Sequence, residues 1–140
     1  MAKNTQMATA AVNAEANGLA RALDNGYLQI YDGAQPADGD TAVTTQNLLV
    51  ELRFAATSAP SASNGTLTFN AMTPGIAIRA GQASWYRALQ SDHATPVMDG
   101  NVGPVGSSNN IELSTVQIQQ GGQVGMSSFT HTVAKSATGL

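Results

Sequence analysis

The chain has 140 residues, a formal net charge of −3 and no cysteine. That length suffices for one domain with its own core, and the absence of thiols excludes thiolate zinc sites, thiol catalysis and a disulfide-stapled scaffold. Charged residues make up 11% of the chain, against roughly a quarter in ordinary soluble domains, and the basic ones, Lys3, Arg21, Arg53, Arg79, Arg87 and Lys135, are scattered, which argues against nucleic acid because backbone neutralisation needs several cations on one face.

Ala, Gly, Ser, Thr, Asn and Gln take the place of the missing charges. Short uncharged polar side chains lose little rotamer freedom when covered, so this composition suits a surface that packs against other subunits. A plain small-residue β domain accounts for it equally well.

Residues 1–10 are small, polar and aperiodic, and read as a flexible N-terminal arm ahead of a single β-rich domain over 11–140. They hold no apolar core of the kind a secretory signal needs, and no run approaches a membrane span. The expectation is a protein made in the cytoplasm and soluble until it assembles. From Val12, the positions Val12, Ala16, Leu19, Ala20 and Leu23 follow helical spacing, interrupted only by Gly18. Asp24-Asn25-Gly26 then gives a helix stop.

Strand patterns follow. Residues 27–32 alternate, with Leu28 and Ile30 on one face and Tyr27, Gln29 and Tyr31 on the other, so either face can be the buried one. Residues 33–45 carry Pro, Asp and Gly without apolar period and read as a long surface loop. Leu48, Val50, Leu52 and Phe54 mark a half-buried strand whose outer face carries Leu49, Glu51 and Arg53. A Ser and Pro loop over 59–65 ends in an Asn64-Gly65 turn, and Leu67, Phe69 and Ala71 alternate after it, which predicts a hairpin.

Thr73-Pro74-Gly75 breaks that run, and Ile76 with Ile78 suggests a short edge strand. Residues 82–90 form another strand, with Ala83, Trp85, Arg87 and Leu89 on one face and Ser84, Tyr86 and Ala88 on the other. A short strand over 97–99 leads through Asp99-Gly100 into a Gly and Pro loop reaching Ser108. Ile111 and Leu113, then Val116 and Ile118, continue the strand pattern, and a Gly121-Gly122 turn precedes a last strand over 124–133. The fold class is mainly β: an antiparallel β-sandwich or jelly-roll-like domain with one short N-terminal helix and a flexible N-terminal arm.

Little chemistry is visible. His93 and His131 lie in different segments without a companion at metal-binding spacing. Asp32, Asp38, Asp40, Asp92 and Asp99 are assigned to loops; Asp38-Gly39-Asp40 invites a calcium reading, but it lacks the alternating ligand spacing with a distal Glu, and Asp beside Gly commonly builds a turn. Phosphate loops, dinucleotide fingerprints and nucleophile elbows are absent from the sequence. Gly100, Gly103 and Gly106 recur at a three-residue spacing too briefly for a collagen-like helix and read as a loop. Asn64-Gly65-Thr66 matches a glycosylation sequon that a hairpin turn explains equally. Trp85 and Tyr86 point to opposite strand faces and cannot form one sugar-stacking platform, whereas Tyr27 and Tyr31 share a face and are the better candidates for a binding patch. No catalytic residue, metal site or cofactor is expected.

In order, the leading helix, the strand and turn over 28–36, the loop over 37–43 leading to Leu48-Leu49, then Gly81, Ala83, Trp85 and Arg87, then Asp99, Gly100, Val102 and Gly103, and a final Phe129-Thr130-His131-Thr132 strand resemble a group of tailed-bacteriophage virion structural proteins. The likeness spans roughly Leu19 to Val133. It implies a non-enzymatic virion component, most simply a minor capsid or head-decoration protein that cements the major capsid protein, associates with copies of itself as a trimer, and lets its arm add a strand to a neighbour. Tyr27 and Tyr31 would then be subunit contacts. A neck, tail or baseplate protein is the alternative within the class, and a carbohydrate-binding module the alternative outside it.

Overall fold

The computed structural model describes residues 4–138. Its one helix among them, α1 (Thr9–Leu23), buries Val12, Ala16, Ala20 and Leu23 completely, the face that the helical spacing marks. Gly18 looks into open space, so it weakens the helix without serving packing. The helix stops where Asn25 takes a positive φ of 58° and the Gly26 amide returns to the Leu23 carbonyl at 2.8 Å. A side chain on Gly26 would strike the Leu89 carbonyl, so that position also needs glycine for close approach.

β2 (Tyr27–Tyr31) pairs antiparallel with β3 (Leu48–Arg53) on one side and with β7 (Trp85–Leu89) on the other. The chain between these last two contributes β4 (Thr66–Thr68), β5 (Gly75–Ile76) and β6 (Gly81–Gln82). Beyond β7 come β8 (Pro96–Pro104), β9 (Ile111–Leu113), β10 (Gln117–Ile118), β11 (Gln123–Val124) and β12 (Ser128–Thr132). A seven-stranded sheet runs in the order β3-β2-β7-β8-β9-β12-β4. It is antiparallel except where β8 and β9 run parallel, Val102 beside Ile111, a local departure from the expected all-antiparallel pattern.

Arg53 at the end of β3 exchanges backbone hydrogen bonds with Thr73, beyond β4, and the Ile78 amide donates to Leu49, so the outer strand β3 is covered rather than left as an open edge. Two short ladders, β5 with β11 and β6 with β10, complete this side. Inside, Phe54, Phe69, Phe129 and Tyr86 form one aromatic cluster, with Phe69 stacked on Phe129 at 4.2 Å and Tyr86 edge-on to Phe129 at 5.2 Å. Helix α1 lies against β4 and β8 and contributes Ala16, Ala20 and Leu23 to the same core.

Three polar positions along α1 and the residue that caps its C-terminus hold the loop that precedes β4. Asn13 accepts from Gly65 N, Asn17 from Ala62 N, Arg21 donates to Ala59 O, and Asp24 accepts from Ser58 N. The spacing is near four residues, so these side chains form one stripe beside the apolar one. Burial pushes the Asp24 carboxyl up, but the Ser58 amide and Arg21 together pull it below its ordinary value.

Several local expectations are corrected. The Asn64-Gly65 turn is real, with φ of 51° and 76° and mutual bonds between Ser63 and Thr66, yet the strand after it pairs with β12 and not with the preceding strand. Asp99-Gly100 is no turn: both residues lie inside β8, where Tyr86 crosses so close that a Cβ on Gly100 would sit 2.5 Å from its ring. Gly103 is likewise within β8, and only Gly106, at φ 91°, lies in a turn. The expected strand over 82–90 is divided into β6 and β7.

Of the segment read as a loose arm, residues 1–3 lie outside the described residues. β1 (Asn4–Gln6) pairs with β13 (Ser136–Thr138) as a separate two-stranded ribbon, with the β1 side chains exposed. No helix among the described residues is long and apolar enough to cross a membrane.

Candidate functional site

Each strand presents alternate residues to the two sides of the sheet, and the side away from the core is where Tyr27, Gln29 and Tyr31 emerge. The Tyr31 hydroxyl donates to Gln29 Oε1 at 2.8 Å, and the Gln29 amide donates to Glu51 Oε2 at 2.9 Å. His93 Nε2 closes on the same Glu51 oxygen at 2.6 Å. Tyr27 stacks on the His93 ring at 3.9 Å and lies under the Arg53 guanidinium at 4.4 Å. His93 is set there by its own turn, in a positive φ of 62°, where Asp92 accepts hydrogen bonds from Ala94 and Thr95.

The long loop over 33–46 folds back over the other end of this face. Asp32 closes its neck, accepting from Asn47 N and Nδ2, which makes it a loop clasp. Beneath the loop lies Trp85, fully buried, stacked on Tyr31 at 4.5 Å and donating through Nε1 to the Asp32 carbonyl. Asp38 builds an Asx turn, accepting from Asp40 N and Thr41 Oγ1, and the Thr41 hydroxyl and Asp40 amide hold its carboxyl below the ordinary range.

Arg87 is the centre of this half. It pairs with Asp99 through two bonds, of 2.8 and 2.9 Å, with the two side chains only 8% and 3% exposed. A further guanidinium bond reaches the Thr41 carbonyl at 2.7 Å, so the ion pair also anchors the loop. The hydrogen bonds to Asp99 raise the Arg87 pKa above its ordinary value. Asp99 is therefore a strand residue with a buried partner and not the loop carboxylate expected from its neighbour Gly100. The signal was present: an arginine inside the run Trp85-Tyr86-Arg87-Ala88-Leu89, on a strand buried along its whole length, needs an internal anion.

Tyr27 and Tyr31 do share the sheet face assigned to them, but they are not one exposed patch. Tyr31 is 7% exposed and covered by Trp85, which leaves almost none of its ring for a neighbour, and burial raises its phenol's pKa. Tyr27 stays partly exposed. Every other aromatic ring, from Phe54 to Phe129, is buried. Among the described residues no group of three or more His, Asp or Glu stands together as a metal-ion cluster.

A second region of the molecule, which adjoins β3, is different in kind. Residues 55–78 and 113–134 contain no Asp, Glu, Lys or Arg, and the fold brings these two segments together through β4 with β12, Phe69 with Phe129, and β5 with β11. On the β4–β12 ladder Thr66 faces Thr132, their hydroxyls 2.8 Å apart, and Thr68 faces Thr130. Between the pairings at Phe69 and Gly75 the two segments part, leaving a cleft of about 330 Å³ lined by Phe69, Met72, Pro74, Met126 and Phe129 among others. A second cleft of about 300 Å³ lies beside Ile118, Gln123 and Val124. Ile76 and Ile78 project from this wall at 60% and 55% exposure, and Val105, at 61%, stands at its margin with its amide bonded to Leu113.

This charge-free wall is the candidate interaction surface. Its two segments lie far apart in sequence, so periodicity alone did not join them; two long stretches without a single charge were the available signal. Neither protein-family models, nor curated proteins, nor solved structures contain a match to this chain.

Proposed function

We propose that the chain is a non-enzymatic structural protein of a tailed-phage virion, and within that class a minor capsid or decoration protein that binds the major capsid shell and stabilises it. The observation that carries the reading is the charge-free wall. Interface centres are depleted of charge, and small Thr and Ser side chains are covered at little entropic cost. The polar chemistry of the other half is engaged internally: Arg87 with Asp99, Asp32 with Asn47, Glu51 with Gln29 and His93. The resemblance along residues 19–133 supplies the virion context.

A cement protein works by avidity. Each copy, or each trimer of copies, bridges several shell subunits, so modest contacts combine through effective concentration. Cryo-electron microscopy of purified virions tests the reading: density for this chain on the head surface is expected. Density confined to the neck, tail or baseplate would move it to the alternative within the class, and absence from the particle would overturn both. The burial of every aromatic ring except Tyr27 favours the structural reading over a carbohydrate-binding module, since sugar stacking needs exposed rings; a glycan array is expected to show no binding by the isolated chain.

A further inference from the structure

We infer that the charge-free wall is the surface through which copies of this chain pack against one another. The inference rests on the structural-protein reading and names the occupant of its surface. Self-contact is the case in which charge must be matched with itself. Two copies apposed through segments 55–78 and 113–134 meet through chain that holds no Asp, Glu, Lys or Arg, and the charges at its border are few: Arg53 beside Thr73, Arg79 after Ile78 and Glu112 opposite Ser128. The other half is less suited: residues 27–54 and 79–104 carry six acidic side chains, Asp32, Asp38, Asp40, Glu51, Asp92 and Asp99, against three basic ones, and so hold the whole net charge of −3. Two such faces repel each other.

Apolar exposure points the same way. Among the described residues the large apolar side chains left exposed, Ile76, Ile78 and Val105, lie on the wall or at its margin, and Ile76 is paired with Gln123, which lines one of the clefts. Exposed apolar side chains of this kind can be covered reciprocally across a two-fold axis, or in sequence around a ring. A stable contact takes about 800 Å² from each partner, about a tenth of this chain's 7458 Å².

Sedimentation velocity of the full chain over a concentration series tests this. The wild type is expected to form a reversible oligomer well above the single-chain mass of 14.3 kDa. Ile76→Glu places a carboxylate on the wall, and Gln123→Glu, at the residue paired with Ile76, does so without removing an apolar side chain. Each is expected to raise the self-association dissociation constant at least about tenfold, with an unchanged circular dichroism spectrum. Asp40→Lys, on the charged half, is expected to leave self-association in place. A wild type of single-chain mass at every concentration would overturn the inference, as would an oligomer indifferent to both wall substitutions. A monomeric wild type that is nonetheless found in virions overturns only the inference, whereas a self-associating wild type absent from virions overturns only the virion reading.

Discussion

The two halves of this small β domain are stabilised by different physics. The β2-β3-β7-β8 half concentrates charge and pairs what it buries, with Arg87 and Asp99 as a bidentate pair and the 33–46 loop clasped over them. The half built from β4, β5, β11 and β12 has no charges to neutralise and relies on stacked phenylalanines, Thr pairs and turns. The difference teaches where each half is vulnerable. Charge that is buried must stay paired, whereas a surface without charge is free to be covered.

The largest effects come from cutting each half at its centre. Asp99→Ala leaves the Arg87 guanidinium buried without its anion and is expected to cost about 3–5 kcal/mol in chemical denaturation. The double change Arg87→Met with Asp99→Leu should recover most of that loss, because an apolar pair has no desolvation penalty to offset. Phe129→Ala, at the meeting point of Phe54, Phe69 and Tyr86, is expected to cost a similar ~3–5 kcal/mol through the cavity it opens. Should Asp99→Ala prove nearly neutral while Phe129→Ala does not, the contrast between the halves would collapse into a single apolar core.

Smaller changes sharpen the boundary between helix and wall. Gly65 holds φ 76° in the turn before β4, and a Cβ there would lie 2.8 Å from the Val133 carbonyl. Gly65→Ala is therefore expected to lower stability by about 1–2 kcal/mol. Gly18→Ala should act in the opposite direction, raising stability by roughly 0.5–1 kcal/mol, because the position is helical and a Cβ meets nothing. Thermal melts of the two variants side by side check both signs.

The smallest effect concerns pH. His131, on β12 opposite Leu67, is half-buried, and that burial lowers its pKa below the ordinary 6.5. The unfolded chain then binds the proton more readily, so the stability His131 contributes is full above about 6.5 and is lost as pH falls through that value toward the folded one. The melting temperature is expected to decline between about pH 7 and 5, and His131→Gln should flatten the decline.

Much of the fold was legible along the chain because its signals are local. Helix α1 follows from the spacing of Val12, Ala16, Ala20 and Leu23, and β2 and the later part of β3 from two-residue alternation, both properties that neighbouring residues carry together. Leu49, expected on the outer face of β3, is instead fully buried where the pairing with β2 shifts register. The loop over 33–46 and the turn at Asn64-Gly65 are likewise written in Pro, Asp and Gly. Further errors arose where glycine served proximity rather than turning. Gly100 looked like a turn beside Asp99, but it is glycine because Tyr86 packs against it from the next strand.

By itself the sequence determined the class of fold, its one helix, the low charge and the two stretches that hold none. The tertiary structure alone decided that those stretches lie side by side as one wall, that Asp99 is Arg87's partner, and that Tyr31 is hidden under Trp85 while Tyr27 is not. The reason is physical. Periodicity records which way a side chain points, but the energy of an ion pair, a stacked ring or a bare surface depends on what the rest of the chain places opposite it.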